Sequence, residues 1–221
     1  MPAIKRISLI VAGGTGTRMG SEIPKQFLLL KGRPVLMYTI EKFFSQSDEV
    51  IVVLPENWME HWQKLCNEYN FYVEHKTVAG GNTRAESVRN GLTGIYLNAI
   101  VAVHDGARPL VSTTLINQLF IAAGEYGSAV PVVQLSDSLR ILEGSTNRSV
   151  DRSAYRLVQT PQCYKVDSLL RAFNNKDYHL FSDEASLMEA SGNTVYLVEG
   201  EVTNIKITVP EDFIIAEHFL V

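Results

Sequence analysis

Ile7-Ser-Leu-Ile-Val-Ala-Gly-Gly-Thr-Gly-Thr-Arg-Met-Gly20, followed shortly by Pro24-Lys25-Gln26, decides how this chain is read. The apolar run Ile7 to Val11 predicts a buried strand, and four glycines occupy the eight positions after Ala12. Glycine lets a backbone turn with positive φ and approach a ligand closely, so that successive amides can point at one anion. Arg18 and Lys25 place two cations beside that cradle. The combination predicts a nucleoside triphosphate site. Two better-known phosphate loops do not fit. A P-loop needs Lys-Ser or Lys-Thr after its second glycine, where this chain has Ser21-Glu22, and a dinucleotide fingerprint needs glycine where Met19 stands. Read without a ligand, the segment is a tight strand-to-loop turn.

Working outward, β-branched apolar runs recur at Ile7–Ala12, Val50–Leu54, Ile100–His104 and Ala129–Val133. Helical patterns separate them at Val35–Phe44, Trp58–Glu68, Thr83–Tyr96 and Thr114–Tyr126. This alternation predicts βαβ units and a mostly parallel sheet covered on both faces, an α/β class. Ligands of such sheets bind beyond the carboxyl ends of the strands. The Gly-rich loop, Gly80-Gly81-Asn82-Thr83 and His104-Asp105-Gly106-Ala107-Arg108 all fall there, so three polar loops should share one edge. After Val133 the alternation stops. Residues about 136–160 form a polar excursion with β-like pieces near Leu139–Leu142 and Ser149–Val150, too long to be an idle connector. Helices at Val166–Asn174 and Asp183–Ala190, strands at Thr194–Val198 and Ile205–Thr208, and a helix from Pro210 complete the pattern. A single domain over residues 1–221 is expected.

The 221 residues suffice for one substantial core, and 46% apolar and 20% charged residues are ordinary globular values. A net charge of −4 argues against a nucleic-acid surface, which is normally basic. No apolar stretch reaches membrane-spanning length and no signal-peptide pattern opens the chain, so a soluble, cytoplasmic protein is expected. Cys66 and Cys163 lack ligand spacing and read as reduced thiols. The five histidines form no metal spacing, and no protein-held metal is expected.

Further motifs follow in order: Gly80-Gly81-Asn82-Thr83-Arg84-Ala85-Glu86-Ser87-Val88, Val103-His-Asp-Gly-Ala-Arg-Pro109, Val150-Asp-Arg152, Thr160-Pro-Gln162, Asp183-Glu-Ala-Ser186 and Asn204-Ile-Lys-Ile-Thr208. With the Gly-rich loop and Pro24-Lys25-Gln26, this series closely resembles the 2-C-methyl-D-erythritol 4-phosphate cytidylyltransferases of non-mevalonate isoprenoid synthesis. The resemblance implies a Rossmann-like nucleotidyltransferase fold with a protruding β-arm, transfer of CMP from CTP to the sugar-alcohol phosphate, and release of pyrophosphate. It implies Arg18 and Lys25 as catalytic cations, and nucleotide binding by Ala12, Gly13, Gly14, Thr15, Gly16, Gly81, Asn82 and Ser87. It assigns substrate binding to Asp105, Arg108, Arg152, Thr160, Ser182 and Lys206. Magnesium would be bound mainly through the CTP phosphates. The arm would reach a neighbouring subunit, giving a homodimer with composite sites.

Three departures stand out: Asn82 replaces a common Asp, Gly106 a common Ala, and Ser182 an expected Thr. The Gly106 change should matter little. Residue by residue, plainer readings exist. Asp105 and Arg108 also suit a loop ion pair, His104 a hydrogen-bonded structural histidine, Trp58 and Trp62 packing, and Asp183-Glu184 acids at a helix N-terminus. Ribitol 5-phosphate cytidylyltransferases share the Gly-rich loop but usually depart at the position of Arg152. A non-catalytic nucleotide-binding protein is disfavoured by the intact Arg18 and Lys25, and a dinucleotide oxidoreductase by the failed fingerprint.

Overall fold

The computed structural model describes residues 4–14 and 23–220. Its elements run β1 (Lys5–Val11), a hairpin of β2 (Leu29–Leu30) and β3 (Arg33–Pro34), α1 (Val35–Phe44), β4 (Glu49–Leu54), α2 (Met59–Glu68), β5 (Lys76–Ala79), α3 (Arg84–Gly91) and β6 (Ala99–Asp105). There follow α4 (Thr113–Tyr126), β7 (Ser128–Val133), β8 (Leu139–Glu143), β9 (Thr146–Val150), β10 (Leu157–Val158) and β11 (Gln162–Lys165). The chain ends with α5 (Val166–Ala172), α6 (Glu184–Ala190), β12 (Leu197–Glu199) and α7 (Pro210–Phe219).

The main sheet has the order β10-β7-β11-β6-β1-β4-β5, with β12 beside β7. Strands β6, β1, β4 and β5 pair in parallel, and β12 is parallel to β7. β11 lies antiparallel between β6 and β7, and β10 pairs antiparallel with β7 further along the same edge, opposite β12. The fold is therefore α/β with a mostly parallel sheet. Alternation along each strand divides the core in two. Ile10, Val50, Val52, Leu54, Ile100 and Ala102 face α1, α2 and α4. Ile7, Leu9, Val11, Ile51, Val53, Val101 and Val103 face α3, α5 and α6. Because both faces are covered, these strands are continuously apolar, which is why they were readable.

Side chains fix several helix starts. Thr83 accepts the Glu86 N–H at 3.1 Å, Ser112 the Leu115 N–H at 3.0 Å, and Asp183 the Ser186 N–H at 3.0 Å. Each such cap contributes about 1 kcal/mol. Trp62 is buried, and Trp58 stacks on Phe27 at 5.4 Å between ring centres, so both tryptophans pack.

Four expectations need correction. The helix expected over Thr83–Tyr96 ends at Gly91, because Gly94 follows in a left-handed turn at φ 78°. The strands β5 and β11 were not anticipated, β11 because its short Gln-Cys-Tyr-Lys run is polar at both ends. Ile205–Thr208 joins no ladder among the described residues; its Ile207 N–H donates to the Ala107 carbonyl at 2.9 Å. Finally, within the excursion at about 136–160 the part that stands apart is the β8–β9 hairpin, whereas Leu157 and Val158 return to the main sheet and Thr160 is buried in the body.

Candidate active site

Where β1, β5 and β6 end, the chain leaves the sheet in three loops that enclose a cleft of about 390 Å³. Ala12, Gly13 and Gly14 line one wall, Gly81, Asn82, Thr83 and Ser87 a second, and Asp105 to Ala107 a third. Lys25 and Lys206 contribute from two further segments. The convergence expected from the strand ends is present. Thr15, Gly16 and Arg18 lie outside the described residues, so the structure does not place them.

Gln26 ties the first loop down. Its buried side-chain amide donates to the Ala12 carbonyl at 2.5 Å and to the Gly14 carbonyl at 3.3 Å. Beside it the Lys25 ammonium donates to the Ile207 carbonyl at 2.6 Å, which joins the catalytic candidate to the segment bearing Lys206. Alternation explains this segment's double duty. Ile207 is buried with Leu30, Val35 and Ala216, while Lys206 turns the other way and reaches Asp105 at 2.8 Å.

The second loop is braced from within α3. Ser87 Oγ accepts the Gly81 N–H at 3.1 Å and donates to the Thr83 carbonyl at 2.9 Å. Glu86 accepts the Asn82 N–H at 2.7 Å. The two loop amides are therefore already engaged. Gly81 must be glycine for a steric reason, since a Cβ there would lie 2.4 Å from Glu86 Cβ.

Asp105 is the electrostatic centre of the third wall. Its carboxylate meets Lys206 at 2.8 Å, Arg84 at 3.5 Å and Arg108 at 3.6 Å. Burial alone would raise its pKa, but the three cations prevail and hold it well below the usual carboxylate range. Arg84 also makes a two-pronged pair with the buried Glu184 at 2.7 and 2.9 Å. Sequence reasoning gave Arg84 no role and read Glu184 as a helix-start acid. Only its neighbour Asp183 caps α6; Glu184 turns inward.

Behind Asp105, the His104 ring is fully buried. Its Nδ1 accepts from the Thr160 hydroxyl at 3.1 Å, and its Nε2–H donates to the Arg108 carbonyl at 3.1 Å. Thr160 Oγ1 also accepts the Asp105 N–H at 3.1 Å. Burial pushes the His104 pKa down to about 3, so the ring is neutral at physiological pH. The Thr160 hydroxyl is thus spent on setting the backbone under Asp105. Arg108 reaches the Asn204 carbonyl at 2.8 Å and stands behind the wall. Ser182 and Arg152 are exposed and do not line this cleft; Arg152 donates to the Ser136 carbonyl. Gly106 is tighter than expected, because a Cβ would lie 3.0 Å from Ala12 Cβ and 3.2 Å from Leu36 Cδ1.

A mostly parallel α/β sheet with a glycine-rich loop after its first strand, and cations around a cleft at the strand ends, is the arrangement of a nucleotide-binding α/β enzyme. A family model described as 2-C-methyl-D-erythritol 4-phosphate cytidylyltransferase matches residues 7–221. The Bacteroides fragilis enzyme of that name is 45% identical over 97% of this chain and 99% of its own length. The Clostridium acetobutylicum enzyme is 40% identical over 96% of each. The crystal structure of the Thermus thermophilus enzyme superposes with a TM-score of 0.81 at 36% identity, covering 98% of both chains. The chain belongs to the 2-C-methyl-D-erythritol 4-phosphate cytidylyltransferase family.

Proposed function

We propose that the cleft binds CTP along the Ala12–Gly14 and Gly81–Ser87 walls and the sugar-alcohol phosphate at Asp105 and Lys206. A phosphate oxygen of 2-C-methyl-D-erythritol 4-phosphate attacks the α-phosphorus of CTP, and pyrophosphate leaves, yielding an isoprenoid precursor. The nucleophile is already anionic at neutral pH and needs no general base. The enzyme's task is to align two polyanions and stabilise charge on the crowded phosphorus. Lys25 supplies a compact charge at the cleft, with Arg18 assigned beside it through the family pattern. The Gly81 and Asn82 amides are occupied, so carbonyl oxygens and the Asn82 side chain are what that loop offers the cytosine amino edge.

Magnesium is proposed to arrive on the triphosphate. Among the described residues no group of three or more His, Cys, Asp or Glu is placed to hold a metal, and Asp105 is the carboxylate that lines the cleft. The ion would neutralise phosphate charge. A homodimer is proposed because the β8–β9 hairpin stands apart from the main sheet and exposes Leu142 to 78%. Among the described residues no helix is long and apolar enough to cross a membrane, and Cys66 and Cys163 are free and buried; we assign the protein to the cytoplasm.

The observation that carries this reading is the meeting of the glycine loop, Lys25, Asp105 and Lys206 in one cleft. Pyrophosphate release should be strong with CTP and methylerythritol phosphate, and weak when ATP replaces CTP or ribitol 5-phosphate replaces the acceptor. Equal rates with ATP would remove the cytidylyl assignment, and faster release with ribitol 5-phosphate would reassign the acceptor.

A further inference from the structure

Glu184 is a carboxylate buried to 2% exposure, and its entire charge is directed at one side chain of the cleft wall. A buried ion pair is weak evidence of stabilisation, because desolvating both charges offsets much of their attraction. Its position is more telling. Arg84 presents both terminal nitrogens to Glu184, at 2.7 and 2.9 Å, and turns only Nε toward Asp105 Oδ1, at 3.5 Å. That distance is at the limit of a hydrogen bond. The other oxygen, Oδ2, is held by Lys206 at 2.8 Å, with Arg108 at 3.6 Å. Oδ1 is therefore the oxygen with the weaker protein contact, on a residue that lines the cleft.

We propose that Glu184 is a positioning residue for sugar-alcohol binding: by engaging both prongs of Arg84 it prevents that guanidinium from clamping Asp105, leaving Oδ1 to accept a substrate hydroxyl. An arginine fork pairs preferentially with a carboxylate through two parallel bonds. Without Glu184, the one other carboxylate paired with Arg84 among the described residues is Asp105. The released fork then swings onto Asp105 and competes with the diol. Arg84 sits one residue after the α3 cap Thr83, and Glu184 one residue after the α6 cap Asp183. The two capped helix starts thus hold the pair from opposite sides.

The inference rests on placing the sugar-alcohol at Asp105, and its test separates the two. Steady-state kinetics on purified wild-type, E184Q, D105N and R84M/E184Q enzymes would be compared with both substrates varied. E184Q should raise the KM for methylerythritol phosphate roughly tenfold, the effect of one charge-assisted hydrogen bond, while the KM for CTP changes less than about twofold. The double variant should restore the acceptor KM, because no cation remains to clamp Asp105. It also leaves no unpaired buried charge, so it tests the idea even if E184Q folds poorly. A folded E184Q with unchanged acceptor KM, or a double variant no better than E184Q or with a raised acceptor KM of its own, overturns the positioning role. An unchanged acceptor KM in D105N would instead overturn the placement of substrate at Asp105.

Discussion

His104 shows how one residue can serve a site without touching substrate. Its ring joins Thr160 to the Arg108 carbonyl, and Thr160 in turn holds the Asp105 amide. The ring must stay neutral to accept from Thr160, and burial lowers its pKa from 6.5 to about 3. The unfolded chain therefore binds a proton near pH 6.5 that the folded chain refuses until about pH 3. Stability should fall as pH drops through that window, by about 1.4 kcal/mol per unit from this group once well below its upper edge. Asp105, whose folded pKa is depressed, adds its own loss only as pH falls through its ordinary value of 3.8 and below. Denaturant melts between these limits should show a shallower slope in His104→Gln than in wild type; identical slopes would mean that His104 is not held neutral. Lys25 makes a different prediction at the same scale. Replacing this cleft-lining cation in Lys25→Ala should lower turnover roughly a hundredfold or more, with melting temperature little changed. Near-normal turnover by the folded variant would remove its transition-state role.

At the scale of elements, α3 carries the site because it packs without a gap on the sheet. Gly91 closes that contact: a Cβ there would lie 2.4 Å from Leu9 Cδ1 and 2.8 Å from Val53 Cγ2. Gly91→Ala should therefore cost about 1–3 kcal/mol through overpacking, measured as a lower denaturant midpoint. An unchanged midpoint would show that α3 can lift off β1 and β4 freely. Such elements also show what a sequence exposes. β1, β4, β6 and β7 were legible because burial on both faces makes a strand apolar throughout. β11 was not, since its polar ends serve long-range partners: the Gln162 side chain donates to Asp183 at 2.8 Å and accepts the Ala185 N–H at 3.0 Å. The cleft loops were legible through glycine and strand-end position. The Arg84–Glu184 pair, separated by 100 residues, was not, because an acid after a helix cap has the same local signature whether it faces solvent or core.

The whole molecule combines a cleft built within one chain with an arm that stands apart from the main sheet. Nine of the assigned site residues line the cleft, but Arg152 lies outside it, on an exposed turn just beyond the β8–β9 hairpin. The hairpin pairs with no other strand among the described residues, and its apolar Ile141 and Leu142 face outward. A polar arm with exposed apolar side chains is suited to a second copy, and the family pattern gives Arg152 to the substrate phosphate. If that arm completes the neighbour's cleft, Arg152→Ala and Lys25→Ala chains should each be nearly inactive alone and should complement when mixed. A heterodimer of the two would contain one cleft with both cations intact, provided Lys25 acts in its own chain and Arg152 in its partner's. Random exchange at equal concentrations makes about half of the dimers mixed, each with one working site, so recovery should approach a quarter of wild-type activity if sites act independently. Differently tagged chains, purified through both tags, establish that exchange has occurred. Doubly tagged dimers with no recovered activity would place both residues in the same chain's site, and the arm would then serve assembly alone.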